Sequence, residues 1–157
     1  MERKKRFPGI AVAFFLMVAV CVPMAYAADP IVVGVSTSLG FLEGKESLKA
    51  VEMAVEEINA AGGINGKKLE LVIYDDEGDA TKCNLAVKKL ITRDKVCAVI
   101  GPSLSGLSLA VIPVAEKHKT PLVSCAASYK IVHNEKTGKP YKWVFKTPQS
   151  DSMAVEA

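Results

Sequence analysis

The chain has 157 residues, of which 50% are hydrophobic, and a formal net charge of +3. Its first 27 residues hold four of the 20 basic residues and one of the 17 acidic ones, so 16 of each remain and the rest of the chain is neutral. A neutral chain without a basic run gives no sign of binding nucleic acid or an anionic membrane surface, and we expect no nucleic-acid partner. The remaining residues, about 130, suffice for one domain.

The first 27 residues follow the order of a secretory signal peptide. Basic residues at positions 3–6 precede an apolar run at 10–22 and a small-x-small site at 25–27. The run is shorter than the roughly 20 residues that span a bilayer. The sequence therefore predicts cleavage after Ala27 and a periplasmic protein. The alternative is a lipid anchor at Cys21, which is disfavoured because Val20 stands where a small residue is needed.

Beyond this leader, strand and helix patterns alternate. Apolar or β-branched runs predict strands at 31–36, 69–74, 96–100, 121–124 and 143–147. Apolar residues at helical spacing predict helices between the first four strands. The first helix carries Leu48, Val51, Val55 and Ile58 inward, and the second carries Cys83, Val87, Leu90 and Ile91 after an N-cap at Asp79. This order predicts the α/β class with a parallel, doubly wound sheet.

Two segments depart from that rhythm. Pro113 lies inside the third predicted helix, and we expect it to kink or divide that helix. Residues 129–142 are charged, contain Gly and Pro and lack helical periodicity, which predicts an exposed loop. Residues 148–151 predict a turn that leads into a further helix.

Three cysteines follow the leader, and an odd number leaves at least one unpaired. Cys97 and Cys125 stand in apolar runs, which predicts buried, inert thiols, while a bridge from Cys83 to Cys97 stays open. His118 and His133 have no companions at ligand spacing, so we expect no metal site and no cofactor.

Two stretches of the sequence are similar to enzyme motifs but do not match them. A P-loop is excluded because only three residues separate Gly40 from Gly44 and Glu46 stands where Ser or Thr must hold magnesium. The stretch 101–106 resembles a nucleophile elbow, but Ser105 stands where that motif needs its second glycine. A secreted α/β enzyme is therefore kept only as a rival hypothesis.

The acidic pair Asp75 and Asp76 follows the second predicted strand. Two adjacent carboxylates suit a magnesium site, but a cytoplasmic phosphoacceptor domain would carry its acidic pair after the first strand. We favour a solvated turn whose acids cap the next helix.

Two loops at strand ends suit ligand binding, since ligands of open parallel sheets bind outside the carboxyl ends of the strands. In the first, 103–108, backbone amides and the hydroxyls of Ser103 and Ser105 could receive a carboxylate at a helix N-terminus. In the second, 124–128, small residues let backbone carbonyls approach an ammonium group. Serines that merely cap helices explain the same spacing equally well.

Four motifs, taken together, resemble the amino-terminal lobe of the leucine/isoleucine/valine-binding protein family. They are GGINGKKLELVIYDDEGD at 62–79, VCAVIGPSLSG at 96–106, PLVSCAAS at 121–128 and WVFKTPQSD at 143–151. The resemblance runs from Ile31 to the end. It implies part of the N-terminal lobe of a two-lobed, type I periplasmic binding protein. Such proteins are not enzymes; they deliver an amino acid to the membrane permease of an ABC transporter.

The resemblance also implies site residues. The family's carboxylate and ammonium contacts fall on Ser103, Ser105, Ala126 and Ser128, with Ala127 beside them. A family tyrosine that touches the ligand side chain falls on Glu43, which puts a purely aliphatic ligand in doubt. A family disulfide would fall on Gly78 and Leu104 and is therefore absent.

The same resemblance predicts a domain plan. Residues 1–27 are the signal peptide, 28–148 an incomplete ligand-binding lobe, and 149–157 the start of the first interlobe crossing and a truncated helix. Family chains are more than twice as long, so we expect one lobe alone to bind weakly or not at all. A sensory ligand-binding domain of a receptor and a non-functional truncated remnant remain as alternatives.

Overall fold

The computed structural model of the chain describes residues 29–155. The predicted signal peptide, its cleavage site and Cys21 lie outside the described residues. The elements are β1 (Ile31–Thr37), α1 (Leu42–Ala60), β2 (Leu69–Asp75), α2 (Ala80–Thr92), β3 (Val99–Ile100), α3 (Ser105–His118), β4 (Leu122–Ser124), a 3-10 turn (Tyr129–Ile131), β5 (His133–Asn134), β6 (Lys139–Pro140), β7 (Val144–Lys146) and α4 (Asp151–Val155). Within this part of the chain, no helix has the length and apolar composition that crossing a membrane requires.

Five parallel strands form the sheet, in the order β2-β1-β3-β4-β7. The chain moves from β1 outward to β2 and then returns to the other side of β1 with β3. Helix α1 packs on β1 and β2, whereas α2 and α3 pack on each other and on the opposite face. The predicted doubly wound, parallel α/β fold is confirmed, and the order reverses between β1 and β3, where such sheets open a crevice.

The core lies between the sheet and the helices α2 and α3. In α2 the buried residues recur at helical spacing, as Cys83, Ala86, Val87, Leu90 and Ile91, which confirms the predicted inward face. They meet Val99, Leu122 and Val144 from the strands and Val111 and Ala115 from α3.

The other face of the sheet is covered by α1 alone among the described elements. The predicted inward residues of α1, such as Val51 and Val55, are only half-buried. They border a groove of about 520 Å³ whose far wall includes Ile100 and Val123. These α1 residues stay partly exposed because no described helix packs beside α1 over β3, β4 and β7.

Helix α3 runs unbroken from Ser105 to His118, so the expected division at Pro113 is wrong. Pro113 is exposed. Proline has no N–H, so the carbonyl one turn earlier in the helix lacks its usual donor. Because Pro113 is exposed, water can bind this carbonyl instead.

The expectation of an exposed loop at 129–142 is also wrong in part. The segment contains the 3-10 turn and the small antiparallel pair β5–β6. Ile131 is fully buried in the core and holds the segment against α3.

The cysteines are free thiols in the described part of the chain. Cys83 is buried and Cys125 is half-buried, but Cys97 is exposed. The prediction of a buried Cys97 fails because β3 spans only Val99–Ile100, which leaves Cys97 in the loop before the strand. The bridge from Cys83 to Cys97 is not formed.

Candidate functional site

The loops that follow β1, β3 and β4 meet at one edge of the sheet, and close backbone packing holds them there. Gly101 has a φ of +93°, and a Cβ at this position would lie 2.0 Å from the carbonyl oxygen of Ser36. Only glycine therefore lets the loop after β3 lie directly against β1. Gly44 lets the first turn of α1 approach in the same way, since its Cβ would lie 2.1 Å from the oxygen of Ser38.

Helix α3 begins at this edge with an open N-terminus. Leu104 occupies the N-cap position and makes no side-chain hydrogen bond to the helix. Among the described residues, the first N–H bonded within the helix is that of Ser108, which donates to the carbonyl of Leu104 at 3.0 Å. The amides of residues 105–107 therefore present unpaired donors and the positive end of the helix dipole.

Ser103 stands beside this N-terminus with an unsatisfied hydroxyl. The residue is 9% exposed, and its Oγ has no hydrogen-bond partner within the described chain. It also borders a cavity of about 10 Å³, together with Ser47 and Cys125. An unpaired buried hydroxyl costs about 1 to 3 kcal/mol, so this hydroxyl is available to donate to an acceptor from another molecule.

The predicted residue Ser105 is the first residue of α3 and is half-buried. It contributes a backbone N–H to the open helix end. Ser103 and Ser105 are thus brought together at one helix terminus, where a carboxylate can receive both backbone and hydroxyl donors.

A buried pair of hydroxyls fixes the loop after β3 to the loop after β4. The Oγ atoms of Ser108 and Ser124 lie 2.8 Å apart. The carbonyl of Pro102 accepts from Ser108 Oγ at 3.2 Å and from the N–H of Cys125 at 3.3 Å. Sequence reasoning missed this pair, because nothing in either loop alone indicates that the two serines bond each other.

The second predicted loop presents different groups. Ala126 is buried and its N–H donates to Ser124 Oγ at 3.1 Å. The carbonyl of Ala127 accepts from Lys146 Nζ at 2.6 Å and from the N–H of Asp151 at 3.1 Å. Ser128 is half-buried and extended. The Ala127 carbonyl is therefore occupied, whereas that of Ala126 receives no donor from the described residues.

Glu43 lies in the first turn of α1 and is exposed. It forms no ion pair within residues 29–155, so no described contact joins it to the two serine loops. Leu42, which sequence reasoning did not single out, is 70% exposed beside it. The ring of Phe41 lies against Gly78, in the turn after β2.

The acidic pair after β2 fits the expected solvated turn at Asp75, which is exposed, but not at Asp76. Asp76 is fully buried, and its carboxylate accepts from Ser36 Oγ at 3.1 Å, from Ser38 Oγ and from the N–H of Gly78 at 3.1 Å. The cap of α2 is Asp79, as predicted, and it accepts from the N–H of Lys82 at 2.8 Å. Asp76 therefore ties the loops after β1 and β2 together.

The family of the chain follows from comparison with known proteins. Residues 31–157 match the sequence profile of the family described as periplasmic binding protein. The chain belongs to this family. The resemblance noted in the sequence is confirmed, since this periplasmic binding protein is 35% identical over 127 residues to Leu/Ile/Val-binding protein homolog 8 of Brucella abortus (strain 2308). It is also 35% identical over 101 residues to a leucine-, isoleucine-, valine-, threonine- and alanine-binding protein of Pseudomonas aeruginosa.

Solved structures give the same family. One is the branched-chain amino acid transporter substrate-binding protein LivJ of Streptococcus pneumoniae in complex with isoleucine, with a TM-score of 0.71, 31% identity and 78% of this chain covered. Another is a substrate-binding protein of Desulfitobacterium hafniense in complex with leucine, with a TM-score of 0.68, 27% identity and 82% of this chain covered.

The match covers a minor part of each relative. The chain spans 29% of the Brucella protein, 35% of the Streptococcus chain and 38% of the Desulfitobacterium chain. Its parallel sheet corresponds to part of a type I periplasmic binding protein.

Proposed function

We propose that this protein is an extracytoplasmic solute-binding component of an ABC transporter, which binds a branched-chain or related amino acid and interacts with a membrane permease. It is a binder and not an enzyme. The observation that carries the proposal is the open N-terminus of α3 beside the unpaired hydroxyl of Ser103. The predicted signal peptide, with cleavage after Ala27, would bring the chain to the periplasm.

The open helix end suits the carboxylate of an amino acid. The amides of residues 105–107 and the Ser103 hydroxyl are donors, and an anion at a helix N-terminus gains about 0.3 to 1 kcal/mol from the dipole. A bound carboxylate would also relieve the cost of the unpaired hydroxyl. Two relatives were solved with isoleucine and with leucine, which are ligands of this class.

The second loop suits the ammonium group of the same ligand. The free carbonyl of Ala126 and the hydroxyl of Ser128 are acceptors, and Ala127 keeps the loop small enough for close approach. The Ser108–Ser124 bond sets the distance between the two loops. One ligand could therefore bridge donors after β3 and acceptors after β4.

Glu43 and Leu42 would face the ligand side chain from the start of α1. An acidic residue next to an exposed leucine favours a side chain that is not purely aliphatic. We expect threonine or glutamine to compete with leucine, and Glu43→Ala to favour leucine.

The proposal is tested by saturation-transfer NMR on the full chain with L-isoleucine and L-leucine. The described residues correspond to part of a type I periplasmic binding protein and offer part of the contacts. Of the two expectations from the sequence, weak binding or none, the open end of α3 favours weak binding, about −4 kcal/mol or a dissociation constant near 1 mM. A hydrogen bond to a charged group contributes about 1.5 to 3 kcal/mol, so Ser103→Ala should weaken binding at least about tenfold.

The matched control is Thr92→Val, which removes an exposed hydroxyl at the far end of α2. It should leave the affinity unchanged. A chain that is folded by circular dichroism and shows no transfer to either amino acid contradicts the proposal.

A further inference from the structure

Lys146 lies at the end of β7, directly beside the candidate binding loop. Strands β4 and β7 are parallel neighbours, with Ser124 paired to Lys146. The loop 126–128 therefore leaves the sheet next to the Lys146 side chain. Its Nζ donates to the carbonyl of Ala127 at 2.6 Å and to the carbonyl of Gln149 at 3.2 Å. One ammonium group thus joins the binding loop to the segment that follows β7.

Asp151 makes a second connection between the same two segments. Its N–H donates to the carbonyl of Ala127 at 3.1 Å, and its Oδ1 accepts from the N–H of Tyr129 at 3.0 Å. The residue therefore bonds the loop on both sides of Ser128. Hydrogen bonds that involve a charged group are stronger than neutral ones, and three of these four contacts of Lys146 and Asp151 are of that kind.

These contacts fix the direction of the loop backbone. With two donors on its carbonyl, Ala127 cannot turn that oxygen toward a ligand. The neighbouring groups, the carbonyl of Ala126 and the hydroxyl of Ser128, are then held in one arrangement before any ligand arrives. Preorganisation of this kind strengthens binding because the loop need not be ordered on association.

We propose that Lys146 and Asp151 are positioning residues, which hold loop 126–129 against segment 147–151 and so preorganise the ammonium side of the site. The binding part of this inference rests on the proposed function. The connection also works in reverse: a ligand that orders the loop orders segment 147–151, because coupling between two sites is reciprocal.

The test replaces Lys146 with methionine, which keeps the length of the side chain and removes its donors. The matched control is Lys142→Met, at an exposed lysine before the same strand. Lys146→Arg restores a cation with donors. For each full chain, amide hydrogen exchange is measured without ligand, and the affinity for L-isoleucine is measured by NMR titration.

We expect Lys146→Met to speed exchange of the Tyr129 and Asp151 amides by about tenfold, the equivalent of one charged hydrogen bond. The affinity for L-isoleucine should fall by about three- to tenfold. Lys146→Arg should recover most of both effects, and Lys142→Met should change neither.

Unchanged exchange at Tyr129 and Asp151 would overturn the proposal. So would faster exchange with an affinity equal to that of the unsubstituted chain, since the loop would then be held without serving the site. If the unsubstituted chain binds no amino acid, the proposed function fails, and the exchange rates alone decide whether Lys146 holds the loop.

Discussion

Helices α2 and α3 begin at the same edge of the sheet and pack on the same face, yet their N-termini differ. Helix α2 is closed by its own sequence, because the side chain of Asp79 accepts from the N–H of Lys82. Helix α3 has a leucine at the equivalent position and no side-chain cap. The closed end stabilises the fold, whereas the open end leaves the amides of residues 105–107 without a partner in the described part of the chain.

The difference has a measurable cost. A polar N-cap contributes about 0.5 to 2 kcal/mol, which α3 gives up in the ligand-free chain. Leu104 offsets part of this loss, because its side chain packs against the core cluster. The open end of α3 is thus compatible with a stable helix, and a ligand carboxylate can supply the missing cap.

The largest expected effect concerns the closed side, where Asp76 supports the turn that leads to α2. Asp76→Ala would leave the hydroxyls of Ser36 and Ser38 and the N–H of Gly78 without their shared acceptor. Each unpaired buried group costs about 1 to 3 kcal/mol, so the free energy of unfolding should fall by about 3 kcal/mol. Urea unfolding measures it. The control Glu70→Ala, at an exposed carboxylate in β2, should cost less than about 1 kcal/mol, and equal losses for both variants would refute a special role for Asp76.

A side-chain cap introduced at the N-terminus of α3 should weaken ligand binding through the helix end itself, and not through a loss of folding. Leu104→Asp supplies an N-cap carboxylate that competes for the amides of residues 105–107 and repels an anion. We expect the affinity for L-isoleucine to fall by more than about tenfold, or about 1.4 kcal/mol. The variant Leu104→Ala loses the same packing without capping the helix, and it should keep most of the affinity. Equal affinities for the two variants would argue against a carboxylate at this helix end.

Removal of the side-chain cap of α2 should lower the stability of the fold and leave ligand binding unchanged. Asp79→Ala should lower the free energy of unfolding by about 1 kcal/mol and leave L-isoleucine affinity unchanged. Asp79→Ser, which can still cap, should recover most of the loss in thermal unfolding. A drop in affinity for Asp79→Ala would mean that the two helix ends are not independent.

The smallest expected effect is on the reactivity of the thiols. It differs between Cys83, in the core under α2, and Cys125, in the loop after β4. Burial raises the pKa of Cys83 from 9.0 to about 12, so this thiol stays protonated and should resist alkylation at pH 8. Cys97 is exposed and should react first. Burial also raises the pKa of Cys125, which lies next to Ala126, and L-isoleucine should slow its alkylation by about twofold. Peptide mapping by mass spectrometry identifies each site, and labelling of Cys83 in the folded chain would contradict its burial.

The sequence predicts the closed helix end better than the open one. Asp79 before an apolar helical pattern is a local signal, and the structure bears out both the cap and the inward residues of α2. The serines at 103 and 105 also stand out locally, but whether their donors are free depends on the surroundings. The spacing alone therefore favours helix capping and ligand binding equally.

Long-range contacts lie beyond such local patterns. Three hydrogen bonds join residues that are far apart in the sequence. They connect Ser108 with Ser124, Ser36 with Asp76, and Lys146 with Ala127, at separations of 16, 40 and 19 positions. The apolar neighbours of Cys97 predict a strand at this residue, but β3 is too short to include it. These features depend on how the strands pair, which neighbouring residues in the sequence do not specify.

The most direct test of the open helix end is an NMR titration of the ¹⁵N-labelled full chain. The amide signals of Ser105, Gly106 and Leu107 are followed as L-isoleucine is added, and again with the matching amine that lacks the carboxylate. We predict that these three signals move downfield and saturate with the amino acid but not with the amine. Signals that stay fixed with L-isoleucine, or that move equally with the amine, would contradict binding of a carboxylate at the N-terminus of α3.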